Sequence, residues 1–153
     1  LVEIIDVEKV LAEISPTVEE ITVGVIDEAV QRAAVSKHVL IVDDSATNRH
    51  VLFEMLARHG YRCRLAESGK EAIEKAKTEK PDMILMDVVM PDMDGYQATR
   101  AITRDEATKH IPVIICTTKG QETDKAWGLR QGAKDYIVKP VTEKLLMEKI
   151  KSL

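Results

Sequence analysis

The sequence predicts an α/β fold: a doubly wound, five-stranded parallel sheet of order 2-1-3-4-5, preceded by an N-terminal helical extension. Three observations predict it. Short apolar runs recur from residue 39 onward, each followed by a segment of helical period. Four of the five runs are apolar throughout, as strands covered by helices on both faces require. Residues 1–36 hold a charge of −6 and residues 37–153 one of +2, together the −4 of the 153-residue chain, which marks the first segment as separate.

The first run is Val39-Leu40-Ile41-Val42, the third Met83-Ile84-Leu85-Met86, the fourth Val113-Ile114-Ile115 and the fifth Tyr136-Ile137-Val138. The second, Tyr61-Arg62-Cys63-Arg64-Leu65-Ala66, alternates polar and apolar and suits an edge strand with one wet face. With that strand at the edge, 2-1-3-4-5 is the economical order, built from right-handed crossovers. Helices lie between the runs. Val51, Leu52, Met55 and Leu56 form the stripe of the first, and Ser68-Gly69-Lys70-Glu71 opens the second with a capping-box signature. The third follows Gly95 with Tyr96, Ala98, Thr99 and Ile102. The fourth spans about Gln121 to Gln131 and stops at Gly132, and the fifth opens near Thr142 with Leu145, Leu146 and Ile150.

Residues 1–36 are read as a helical extension or linker, and 37–153 as the globular domain. Ile4, Val7, Val10, Leu11 and Ile14 have helical spacing, which Ser15-Pro16 ends. From Thr17 to Ala34 a strand (Ile21–Val25) and a helix face (Ile21, Val25, Ala29, Ala33) both fit, and helix is preferred. A chain opening on Leu1 is expected to be a fragment or a processed product.

Composition excludes several classes. With 44% hydrophobic and 31% charged residues the chain can bury a core, so disorder is not expected for most of it. No apolar stretch reaches the ~18–20 residues of a membrane span, and with an acidic start and no basic n-region a signal peptide is not expected. Cys63 and Cys116 make no disulfide framework, which suits the cytoplasm. A pI near 5.6 argues against nucleic acid.

Ligands of an open α/β sheet bind beyond the carboxyl ends of strands where the order reverses, here between strands one and three. Asp43-Asp44 end the first strand and Asp87 the third. Three converging carboxylates repel one another unless a hard cation such as Mg²⁺ sits among them. Thr117 and Lys139 end strands four and five. A hydroxyl and an ammonium beside a metal-bound carboxylate suit attack of that carboxylate on a phosphoryl group. Asp92-Met93-Asp94-Gly95 superficially suggests a calcium loop, but Met90 and Ala101 then fall at positions needing oxygen ligands. No glycine-rich phosphate loop follows Val42.

Asp43-Asp44, Asp87 with Met90-Pro91 and Gly95, Thr117, Tyr136 and Lys139-Pro140 together resemble the CheY-like receiver domains of bacterial two-component response regulators. The resemblance covers about residues 37–153. It implies that Asp87 is the phosphoacceptor, with Mg²⁺ or Mn²⁺ held by Asp44, by Asp43 mainly through water, by Asp87 and by the Val89 carbonyl. It further implies that Lys139 contacts the phosphoryl group before a cis Pro140. Thr117 and Tyr136 form the switch pair, with Thr117 moving toward the phosphate and Tyr136 rotating inward behind it, and Val89 and Lys119 flank the path of hydrolytic water and tune dephosphorylation.

Thr117-Thr118-Lys119-Gly120-Gln121-Glu122-Thr123-Asp124 and Trp127 to Ala133 are similar to stand-alone receivers of type IV pilus (twitching) chemosensory systems, the PilG/PilH type. Leu1 to Leu11 resembles the last helix of a CheW-like coupling domain, as in CheV proteins; a truncated CheV-type protein and an engineered fusion both account for that. The implied partners are a CheA-type histidine kinase and a downstream protein met by the face of helix four, strand five and helix five. The N-terminal extension offers a route to a homodimer. Trp127 is expected to pack against neighbouring elements, with a place on the partner face as the alternative. Two other functions compete. A metal-dependent phosphohydrolase with an Asp nucleophile wants an acid two residues on, where Val89 stands. A phosphorylation-independent interaction module predicts loss of the acidic residues, all of which are present.

Overall fold

The computed structural model describes residues 37–153. The reading of residues 1–36 as a helical extension lies outside the described residues. Those described form five strands alternating with five helices: β1 (His38–Val42), α1 (Ala46–Arg58), β2 (Arg62–Ala66), α2 (Gly69–Glu79), β3 (Met83–Met86), α3 (Gly95–Arg104), β4 (Val113–Thr117), α4 (Glu122–Arg130), β5 (Asp135–Val138) and α5 (Glu143–Lys151). The sheet is parallel throughout, in the order β2-β1-β3-β4-β5. No described helix is long and apolar enough to cross a membrane.

The period of two along each strand divides the core. Val39, Ile41, Leu85, Ile114, Cys116 and Ile137 meet Leu52 and Leu56 of α1 and Leu146, Met147 and Ile150 of α5. Leu40, Val42, Ile84, Met86 and Val113 face the other way, onto Ala72 and Ala76 of α2 and Ala98 and Ile102 of α3. Ile115 and Tyr136, with Val88 and Ala133, form a smaller cluster. Both faces are covered, which is why β1, β3 and β4 are apolar without alternation. The β2 edge is wetter than its alternation suggests: Leu65 is 38% exposed and only Ala66 is buried. The outermost strand lies at the rim of both helical layers, so neither of its faces is fully covered.

The helix starts follow side-chain chemistry. Ser45, Ser68, Asp94 and Thr142 accept hydrogen bonds from the backbone N–H groups of Asn48, Glu71, Gln97 and Leu145. The reciprocal box at α2 is displaced by one residue: Glu71 reaches back to the N–H of Glu67 at 2.8 Å, not to that of Ser68, and also pairs with Lys75. A complete capping box instead opens α3, where Gln97 Oε1 accepts from Asp94 N–H. Gly132, past the end of α4, has φ +110°, a conformation glycine adopts without strain. Trp127 is 46% exposed and borders a groove with Tyr96, Gln97 and Arg100, so it lies on the α3 side of α4 and is not packed into the core.

Candidate functional site

The sheet itself aims the polar residues. Ladder hydrogen bonds continue one residue past the strands: Asp43 N–H donates to Ala66 O, Asp87 N–H to Val42 O (2.9 Å) and Lys139 N–H to Thr117 O (2.8 Å). Asp43, Asp87 and Lys139 are therefore held by the sheet, at its carboxyl edge, although they stand just outside it. Gly95 brings α3 against the same edge. Its N–H donates to Val88 O at 2.9 Å, and a Cβ there would lie 2.0 Å from Asp87 O. Only glycine permits that approach.

One carboxylate oxygen from each of Asp43, Asp44 and Asp87 lies within 4.8 Å of the other two. Asp43 is 1% exposed and Asp87 7%, while Asp44 faces solvent. Lys139 Nζ is 2.8 Å from Asp43 Oδ2 and 3.5 Å from Asp87 Oδ1. Asp43 Oδ1 accepts from Ser45 N–H at 2.9 Å. Burial and the Asp43 charge push the Asp87 carboxyl above the usual range, against the pull of Lys139. Burial alone would lower Lys139, but the hydrogen bond to Asp43 and the charges of Asp87 and Asp43 prevail and raise it.

One ammonium among three carboxylates leaves an excess of two negative charges. The donors are all oxygens, and three can reach a common point. That set fits a hard divalent cation. The exposed Asp44 stands at the open side of the cluster, where such an ion would enter.

The remaining sequence-predicted residues lie on or just beyond β3, β4 and β5. Thr117, fully buried as the last residue of β4, accepts at Oγ1 from Lys119 N–H at 3.3 Å. Tyr136, expected to rotate inward behind Thr117, is already turned inward here: it is 8% exposed and donates to Lys119 O at 2.7 Å. Val89 is 57% exposed, two residues beyond Asp87. The Lys139–Pro140 peptide bond is cis. A groove of about 450 Å³, lined by Asn48, Val51, Thr118 and Val141 among others, opens beside Lys139 and Pro140. Asp92, in the segment resembling a calcium loop, is exposed with φ +67° and is not one of the clustered carboxylates.

Sequence reasoning missed three participants. Arg49 Nη1 donates to Asp43 O at 2.6 Å, tying α1 to the end of β1. Tyr96, read only as a residue of the third helix, bonds through its hydroxyl to Tyr136. Gly128, within α4, lies against the Tyr136 ring. An arginine in the first turn after Asp43-Asp44 was a usable signal; the two tyrosines, 40 residues apart, offered none.

The profile described as the response regulator receiver domain matches residues 39–151. Protein PilH of Pseudomonas aeruginosa is 53% identical over 115 residues, which cover 75% of this chain and 95% of PilH. The phosphate regulon transcriptional regulatory protein PhoB of the same organism is 40% identical over 119 residues, 78% of this chain and 52% of PhoB. Among solved structures, Vibrio cholerae chemotaxis protein CheY4 aligns with a TM-score of 0.72 at 32% identity, over 76% of this chain and 97% of that one. The receiver domain of a Pseudomonas aeruginosa sensor histidine kinase, determined with a magnesium ion coordinated in its active site cleft, aligns with a TM-score of 0.71 at 33% identity, over 76% and 96% of the two chains. The matched segment runs from the start of the sheet to the end of α5 and takes in the acidic edge: the chain belongs to the family of response regulator receiver domains.

Proposed function

We propose that Asp87 is the phosphoacceptor of a chemosensory two-component pathway, that a CheA-type histidine kinase is its donor, and that phosphorylation switches protein contacts. One observation carries this reading: Lys139 Nζ lies 2.8 Å from Asp43 and 3.5 Å from Asp87, at the sheet edge where three carboxylates converge.

In the proposed reaction an Asp87 carboxylate oxygen attacks the phosphorus of the donor phosphohistidine. The P–O bond forms as the P–N bond breaks, and the imidazole departs with the electron pair. Lys139, kept protonated by Asp43 and Asp87, neutralises a phosphoryl oxygen. Thr117 Oγ1 only accepts from Lys119 N–H, so its own proton is free to donate to another phosphoryl oxygen. When bound, Mg²⁺ or Mn²⁺ supplies the remaining positive charge, held by Asp43, Asp44, Asp87 and the Val89 carbonyl. Movement of Thr117 toward the phosphoryl group, beside a Tyr136 ring already turned inward, stabilises one arrangement of the face of α4, β5 and α5 that a downstream protein reads.

Similarity to PilH over nearly its whole length supports a chemosensory, twitching-type pathway, and a cytoplasmic site of action goes with such a kinase. The phosphohydrolase alternative lacks an acid at Val89, and the intact cluster of acids disfavours a phosphorylation-independent module. Treatment of the chain with a small phosphodonor and Mg²⁺ tests the reading. The intact mass is expected to rise by one phosphoryl group, and Asp87→Asn to abolish the gain; equal labelling of the variant would overturn the assignment.

A further inference from the structure

Tyr136 lies on β5 with its hydroxyl 2.7 Å from Lys119 O and 3.0 Å from the Tyr96 hydroxyl. Burial pushes both phenols above their ordinary range, so each keeps its single proton at neutral pH. That count sets the direction of both bonds. A carbonyl only accepts, so the Tyr136 proton goes to Lys119. Tyr96 then donates to Tyr136, in preference to its longer 3.4 Å approach to Asp124 O. The two bonds form a directed relay from α3 through β5 to the loop between β4 and α4. Bonds in such a sheltered chain reinforce one another.

The ring is also accommodated by a gap. Gly128 sits inside α4, where glycine costs about 1 kcal/mol relative to alanine. A Cβ at that position would lie 2.9 Å from Ile115 Cδ1 and 3.0 Å from Cδ2 and Cε2 of Tyr136. The ring occupies the space that a side chain at residue 128 would need.

We propose that Tyr96 is a positioning residue for Tyr136: its hydroxyl, with the hollow at Gly128, seats the Tyr136 ring against the β4–α4 loop before any phosphoryl group arrives. The consequence for signalling rests on the switch role proposed above for Tyr136; the seating does not. If the phosphorylated state requires the seated ring, the relay raises the fraction of molecules already prepared for it, and apparent affinity for a phosphoryl analogue rises with that fraction.

The chain has three tyrosines, Tyr61, Tyr96 and Tyr136, so 3-fluorotyrosine labelling yields three ¹⁹F signals assignable by single Tyr→Phe changes. Tyr96→Phe keeps the ring and removes only the hydroxyl. In the metal-free full chain it is expected to move the Tyr136 signal toward solvent exposure, read from its H₂O/D₂O isotope shift. With Mg²⁺ it is expected to weaken beryllofluoride binding about three- to tenfold, the range of one intramolecular hydrogen bond. Gly128→Ala is expected to displace the same signal by crowding, and Tyr61→Phe to leave signal and affinity unchanged. An unmoved Tyr136 signal in Tyr96→Phe overturns the proposal, even if the variant melts earlier. A moved signal with beryllofluoride affinity unchanged in both Tyr96→Phe and Tyr136→Phe keeps the positioning role and overturns the switch role.

Discussion

Lys139 and Asp43 form a sheltered ion pair, Nζ to Oδ2 2.8 Å, with 15% and 1% of their side chains exposed. The pair is 96 residues apart in sequence and is brought together because β1 and β5 both end at the carboxyl edge of one sheet. Lys139 offsets part of the charge of the cluster and leaves the remainder for a divalent cation.

Removing the ammonium leaves Asp43 buried without its partner. Lys139→Met is expected to destabilise the metal-free chain by about 2–3 kcal/mol, below the full cost of breaking a wholly buried pair because water reaches Nζ. Added Mg²⁺ should restore much of the loss, since the more negative cluster binds it more tightly. Urea denaturation with chelator and with Mg²⁺ measures both effects.

Asp87 carries the opposite consequence. Its carboxyl is raised in the folded chain by burial and by the charge of Asp43, so the folded state holds that proton more tightly than the unfolded chain does. The favourable contribution is present below the ordinary carboxylate range and is lost as pH rises through the raised value. Asp87→Asn is therefore expected to be more stable than the parent at neutral pH without metal. Its advantage should shrink as pH falls, which thermal melts across pH 3–7 in chelator, roughly spanning the carboxylate range, can follow.

Gly95→Ala inserts a Cβ 2.0 Å from Asp87 O. The first turn of α3 must retreat, and overpacking of this kind costs about 3 kcal/mol. Because the atom displaced belongs to Asp87, Mg²⁺ affinity should fall with stability. Isothermal titration of the folded variant separates this from simple loss of folded chain.

Val89 is exposed beside the cluster and has no polar group to orient water, and Lys119 stands two residues beyond Thr117. Val89→Asn with Lys119→Glu is expected to shorten the phosphoryl lifetime roughly tenfold, equivalent to ~1.4 kcal/mol off the hydrolysis barrier. Decay of the phosphorylated mass after donor removal gives the rate.

What the sequence revealed depended on how locally each feature is encoded. Continuous apolar runs such as Ile84-Leu85-Met86 announce strands with two covered faces, and strand-end carboxylates announce an edge site once the order is inferred. The wetness of β2 depends on how far the helical layers extend, which no local pattern records. Glu71 stands at the residue a capping box needs, yet prefers the N–H of Glu67 and the ammonium of Lys75. Asp94 and Gln97 have the spacing of a capping box, but Asp92-Met93-Asp94-Gly95 also resembles a calcium loop, and that likeness masks the helix start. Tyr96 and Gly128 acquire meaning only through Tyr136, a contact between elements distant in sequence.

Reductive trapping tests the central claim most directly. Borohydride converts an aspartyl phosphate to homoserine, so the chain treated with phosphodonor and Mg²⁺, then reduced and digested, reports which carboxylate was modified. Homoserine at residue 87, and not at 43 or 44, is the predicted result; homoserine at either of those two, or at none of the three after a measured phosphoryl mass gain, would contradict it.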